Sequence, residues 1–192
     1  MRKLLFALAF GAALSGHAQN SSDDRLFWRA DQRLSFSDFN GTPKASDTAV
    51  TTSATGARSH RRGSINKSID ISLATQPDKT MFDIRAGMKR NSSWMRDRTD
   101  SVTLAHEQGH FDICELYARM LRRDIKKARN MQQARKMFDD AMKAEEAEHD
   151  RFDKENTYEA GGITAAWAQD LSTRIAALDA FANPVVATRI VQ

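Results

Sequence analysis

Two histidines, His106 and His110, stand four residues apart around Glu107 in the stretch LAHEQGHFDI. On an α-helix, 3.6 residues per turn brings positions i and i+4 to one side, so both imidazoles can offer a nitrogen to one metal ion. The glutamate between them then faces the attacking water, where it can act as a general base. The pattern points to zinc-dependent hydrolysis, with His106 and His110 as metal ligands, Glu107 as the catalytic base and Zn2+ as the cofactor. Two neighbouring features fit a site better than a packing helix. Gly109 costs about 1 kcal/mol relative to alanine inside a helix, which predicts that another backbone, a ligand or the sheet comes close there. Ionisable side chains also interrupt the apolar stripe between Leu104 and Ile113, where a core helix would be hydrophobic. The competing reading is a pair of half-buried histidines with hydrogen-bond partners and no metal.

Zinc needs a further protein ligand, and this helix does not supply it. The longer metzincin signature is excluded, because the places of its glycine and third histidine hold Ile113 and Leu116. Glu115 lies five residues past His110, roughly 140° round the helix, and cannot share the ion.

The elements that must position these groups follow from periodicity. Ile113, Leu116, Tyr117, Met120, Leu121, Ile125 and Ala128 recur at helical spacing and predict a helix from about Asp100 to Arg129. Ala134, Phe138, Ala141, Met142, Glu145, His149 and Phe152 share one face of a second helix, from about Gln132 to Asn156. Gly161 and Gly162 end it, and a third helix runs from Ile163 to Phe181, stopped by ANP. If the first helix turns back near Asn130, His110 faces about residue 150 and His106 about residue 154. On that segment Glu145, His149 and Asp153 stand at i, i+4 and i+8, and Glu146 with Asp150 forms an ExxxD pair like that of the glutamate zincins. The residues alone leave both sets open.

Before these helices the chain reads as strands and turns. RLFW and RLSFSDF are strand-like, NGTP is a turn, and a Thr- and Ser-rich extended region runs to residue 60. In INKSIDISLA (65–74) and MFDIRAGM (81–88) apolar residues alternate as in half-buried strands, with TQPDK as the turn between them. No helical crossover separates the strands, so the sheet is expected to be mainly antiparallel. The expected fold class is α+β: a small N-terminal sheet over about 25–90, then three helices over about 100–182.

The first residues have the layout of a cleaved signal peptide (1–18): Arg2 and Lys3, an apolar run from Leu4 to Leu14, then small residues to Ala18. The expected location is periplasmic or secreted, and 19–192 is expected to form a single domain. Cys114 is the sole cysteine and lies far from the cleavage point, which excludes a lipoprotein anchor and an internal disulfide. Losing Arg2 and Lys3 leaves 27 Lys and Arg against 25 Asp and Glu, close to neutral. The basic run RMLRRDIKKARN (119–130) has no interleaved aromatics and reads as a solvated helix face rather than a nucleic-acid contact. Trp28, Trp94 and Trp167 read as core or rim aromatics, Tyr117 and Arg119 as packing and surface residues, and Cys114 as a small buried hydrophobe. His60 is placed in a loop, and His17 leaves with the signal peptide.

LSFSDFNGTP, SSW before the long helix, and LAHEQGHFDICELYARMLRR together resemble the bacterial family catalogued as domain of unknown function 922. The resemblance covers about residues 25–180 and implies an exported, zincin-like protein with zinc-protease chemistry. The family also carries a Tyr-Asp-x-Glu-Thr-x-His-Gly-like segment, and FDKENTYE occupies that place here. Asp153 and Glu155 match it, while Phe152 replaces the tyrosine and Tyr158 stands where the histidine would be. The resemblance favours Asp153 as third ligand, as in zincins that use two histidines and an aspartate; His149, Tyr158 and Glu146 are the alternatives. The expected function is a monomeric exported zinc metallopeptidase acting on a peptide or protein that adds as a strand to the sheet edge, with no nucleic acid and no membrane anchor. The alternative is a degenerate periplasmic protein that holds a metal or a peptide without cutting it, and a structural module without metal stands behind both.

Overall fold

The computed structural model describes residues 24–48, 51–52, 58–59, 61–157 and 161–190. The signal-peptide reading, His60 and Tyr158 lie outside the described residues. In chain order the elements are β1 (Arg25–Phe27), β2 (Thr51–Thr52), β3 (Arg58–Ser59), β4 (Gly63–Ser64), β5 (Lys67–Gln76), β6 (Lys79–Lys89), β7 (Trp94–Met95), α1 (Ser101–Ile125), α2 (Met131–Glu155), α3 (Ala165–Ala177) and β8 (Val185–Thr188). The fold is α+β, with an antiparallel sheet followed by three helices.

β6 is the spine of the sheet. β5 pairs with it from Gln76↔Lys79 to Lys67↔Met88, closing a hairpin over Pro77 and Asp78. The other edge of β6 is shared by β1, at Arg25↔Lys89 to Phe27↔Gly87, and β8, at Asp83↔Val185 to Thr80↔Thr188. Alternation along β6 buries Phe82, Ile84, Ala86 and Met88 in one core with Ile113, Leu116, Leu121 and Ile125 of α1. Each of these side chains larger than alanine contributes about 1.5–3 kcal/mol by leaving water. β4 and β7 form a separate two-stranded pair just before α1.

α1 is buried along most of its length, with the sheet on one side and α2 and α3 on others. Asp100 caps it, its Oδ1 accepting from Val102 N–H and Thr103 N–H (both 3.1 Å). α2 begins after Asn130, whose side chain accepts from Gln133 N–H, and buries only a narrow face of Ala134, Glu145, Glu148, His149 and Phe152. α3 is capped by Thr164 and buries Trp167, Leu171 and Ile175. Among the described residues no helix is long and apolar enough to cross a membrane.

Several expectations need correction. RLSFSDF is no strand: Phe36–Asp38 form a 3-10 turn, because Asp38 Oδ2 accepts from the Ser35 backbone N–H and hydroxyl (both 2.8 Å). The third helix is shorter than read, and the chain past ANP returns as β8, a strand the sequence reading missed. The basic run is no uniformly solvated face. Arg119 and Arg122 turn inward at 4% and 2% exposure, and of the basic residues in the run only Lys126, Lys127 and Arg129 are exposed.

Candidate metal centre

α1 presents His106 and His110 toward α2, and the two imidazoles meet edge-on. His106 Nε2 and His110 Nε2 lie 3.1 Å apart, and Asp153 Oδ1 of α2 lies 3.1 Å from the first and 2.9 Å from the second. These three donors thus form a nearly equilateral triangle. Zinc with bonds of about 2.0–2.2 Å needs tetrahedral edges of about 3.3–3.5 Å, so the donors need to part by only a few tenths of an ångström. Two neutral imidazole nitrogens and a carboxylate are a donor set that suits zinc. The Asp153 side chain is 56% exposed, against 5% and 10% for His106 and His110, so the triangle is walled by protein behind and open in front.

Both rings are held from behind. His106 Nδ1 lies 3.0 Å from the Gly162 carbonyl, and with its proton there Nε2 presents a lone pair. His110 Nδ1 lies 2.9 Å from His149 Nδ1, whose Nε2 is 3.1 Å from Glu145 Oε1. The Cys114 thiol also donates to that oxygen (2.9 Å). Beneath the site, the fully buried Phe152 packs against both imidazoles, with ring centroids 4.9 Å away, and against Trp167. A Cβ on Gly109 would lie 2.4 Å from Phe152 Cζ. The close approach at Gly109 therefore comes from an aromatic ring of α2, not from backbone, ligand or sheet.

The electrostatics follow the geometry. Burial pushes the His110 pKa down to about 4, beyond what Asp153 can restore. Burial opposes charge on His106 as well, but hydrogen bonds to Asp153 and Gly162 outweigh it and raise its pKa. Asp153 keeps its carboxylate well below the usual range, because contacts with His106 and His110 overcome its partial burial. Burial, together with Glu145, raises the Cys114 thiol well above its ordinary value.

Glu107 is 2% exposed, and its Oε2 accepts from the Ile65 backbone N–H at 3.0 Å, just past β4. It lies close enough to His106 to favour that ring's charged form. Of the other candidates, His149 stands behind His110 rather than in the triangle, and Glu146 and Asp150 are exposed on another face of α2. Gly162 was read only as a helix stop. Its φ of +81° and a would-be Cβ 2.6 Å from Val102 O show that only glycine fits there, where its carbonyl meets His106.

Arg119 was expected on the surface but is buried, its Nε donating to Glu115 Oε1 (2.9 Å). Trp28 is half-buried and donates to Asp112, while Trp94 and Trp167 lie in the interior. Comparison with protein-family models, curated proteins and solved structures gave no match.

Proposed function

We propose that this protein is an exported zinc-dependent peptidase, with zinc held by His106, His110 and Asp153. The observation that carries the reading is the convergence of two Nε2 atoms and one carboxylate oxygen within 3.1 Å, each ring backed by a partner at Nδ1. The likeness of the HEQGH segment to exported zincin-like proteins supports it. Bound zinc would supply a Lewis acid toward a peptide carbonyl and would bring the pKa of an attacking water toward about 7. Glu107 takes the proton of that water and returns it to the leaving amine, while Ile65 N–H steadies its carboxylate. Among the described residues β5 pairs only with β6, so its outer edge suits an extended substrate added as a strand and recognised mainly through its backbone.

A second reading is a metal-dependent binding protein that does not cut. It is favoured by Glu107 itself, which is nearly inaccessible and already accepts a backbone hydrogen bond. Zinc content and hydrolysis of an unfolded protein substrate, measured on wild type, Asp153→Ala and Glu107→Gln, separate the readings. The peptidase reading expects about one zinc in wild type, its loss in Asp153→Ala, and its retention in Glu107→Gln with turnover reduced about 10²–10⁴-fold. Zinc bound without any hydrolysis by the wild type selects the binding reading, and equal turnover in Glu107→Gln overturns the assigned base.

A further inference from the structure

Behind the metal triangle lies a second buried cluster, Cys114, Glu145 and His149, whose potential ligand atoms also lie within 4.8 Å of one another. It has two possible roles, as a second ion site or as a support for the first. Proton placement distinguishes them. His110 Nδ1 and His149 Nδ1 are 2.9 Å apart, a distance that requires one of them to donate and the other to accept. If His110 gives its Nε2 lone pair to a metal as a neutral ring, its proton is on Nδ1 and His149 Nδ1 accepts it. A neutral His149 then carries its own proton on Nε2, which points at Glu145 Oε1, 3.1 Å away. That oxygen also accepts from the wholly buried Cys114 thiol, 2.9 Å away. The chain of donors and acceptors closes at that oxygen.

A second ion on His149 Nε2 breaks this order. With both Nε2 atoms on metals, the two facing Nδ1 atoms would have one proton between them and one ring would become an imidazolate. The thiol, fully enclosed, would also have to ionise. We therefore propose that His149 and Glu145 are positioning residues: they fix His110 in the tautomer and orientation that present Nε2 to the metal, and Cys114 holds Glu145 in place. This rests on the reading of His110 as a zinc ligand. The support is unequal between the two rings, since His106 leans on the neutral Gly162 carbonyl and His110 on a chain that ends in a carboxylate.

The test is zinc affinity by competition with a chromophoric chelator, on the full protein and on His149→Phe, His149→Asn and Glu145→Gln, with the thermal stability of each metal-free protein measured alongside. Phenylalanine keeps an aromatic ring and loses the acceptor, so the affinity is expected to fall about 10–100-fold. Asparagine can place Oδ1 where Nδ1 stood, and most of the affinity is expected to return, which a purely packing role would not produce. Glu145→Gln preserves shape and removes the charge, with an expected loss of about 10-fold. Wild-type affinity in both His149→Phe and Glu145→Gln overturns the positioning role, as does an asparagine variant no better than phenylalanine. A second equivalent of zinc in the wild type that disappears in Cys114→Ser shows an ion site instead. Failure of the wild type to take zinc at all overturns the ligand reading, and the positioning role falls with it.

Discussion

Along α1, two polar clusters are buried within a few turns of each other, and they are solved in opposite ways. At one, His106 and His110 turn their Nε2 atoms toward Asp153, so acceptors converge on one point that is open to solvent in front. At the other, Glu115 accepts from Arg119 Nε (2.9 Å) and Arg122 Nη1 (3.0 Å), and further guanidinium N–H groups reach the carbonyls of Ile175, Ile84 and Phe181. Ile84 O lies where β6 runs between the end of β1 and the start of β8, so Arg122 fills a gap in the ladder. Both clusters interrupt the apolar stripe of the helix. Polarity inside a stripe therefore does not by itself mark a site; what distinguishes the two is whether donors and acceptors are matched or whether lone pairs converge.

The sharpest way to break this contrast is at Arg122. Arg122→Met leaves Glu115 short of a partner in the interior and is expected to destabilise the fold by about 3–5 kcal/mol in denaturant titrations, with zinc content unchanged in the folded protein. Loss of zinc at unaltered stability would merge the two clusters into one functional unit. Gly109→Ala comes next. The added methyl meets Phe152, which is pinned by His106, His110 and Trp167, so a loss of about 1–3 kcal/mol is expected in thermal unfolding together with weaker zinc binding. A more stable alanine variant, following helix propensity, would show that the ring moves freely.

The smallest effect is at Glu148, on the side of α2 that meets α3. Burial disfavours its charge, yet Arg174 (2.7 Å) and Arg151 (2.9 Å) hold its carboxyl below the ordinary 4.5. A lowered pKa in the folded state means that the folded protein binds this proton less readily than the unfolded chain. The stabilisation is thus present above about pH 4.5 and is lost as the pH falls below it. Glu148→Gln should flatten that part of the stability-against-pH curve and cost up to about 1 kcal/mol at neutral pH. Parallel curves for variant and wild type would remove Glu148 from the account.

The parts of the molecule that sequence reveals are those governed by local period. The β5–β6 hairpin and α1 and α2 follow from alternation and helical spacing, and the turn near Asn130 was enough to bring Asp153 opposite His106. The misses depend on partners distant in the chain. β8 is only four residues long, with Val186 and Thr188 buried, and it forms by pairing along an edge of β6, about a hundred residues earlier. The inward turn of Arg122 answers carbonyls on β6 and after α3, which no spacing within α1 encodes. The Gly162 carbonyl is backbone and leaves no side-chain signature, although two adjacent glycines with positive φ were visible as a break.

The notch at Gly109 and the ring of Phe152 also fix a register. Paired helices can slide past each other by a turn while keeping similar apolar faces in contact, and on α2 such a slide would carry His149 to the place of Asp153, four residues on. The missing Cβ admits one aromatic ring at one height along α1. A glycine that binds nothing thereby decides that the two Nε2 atoms face a carboxylate and not a third imidazole.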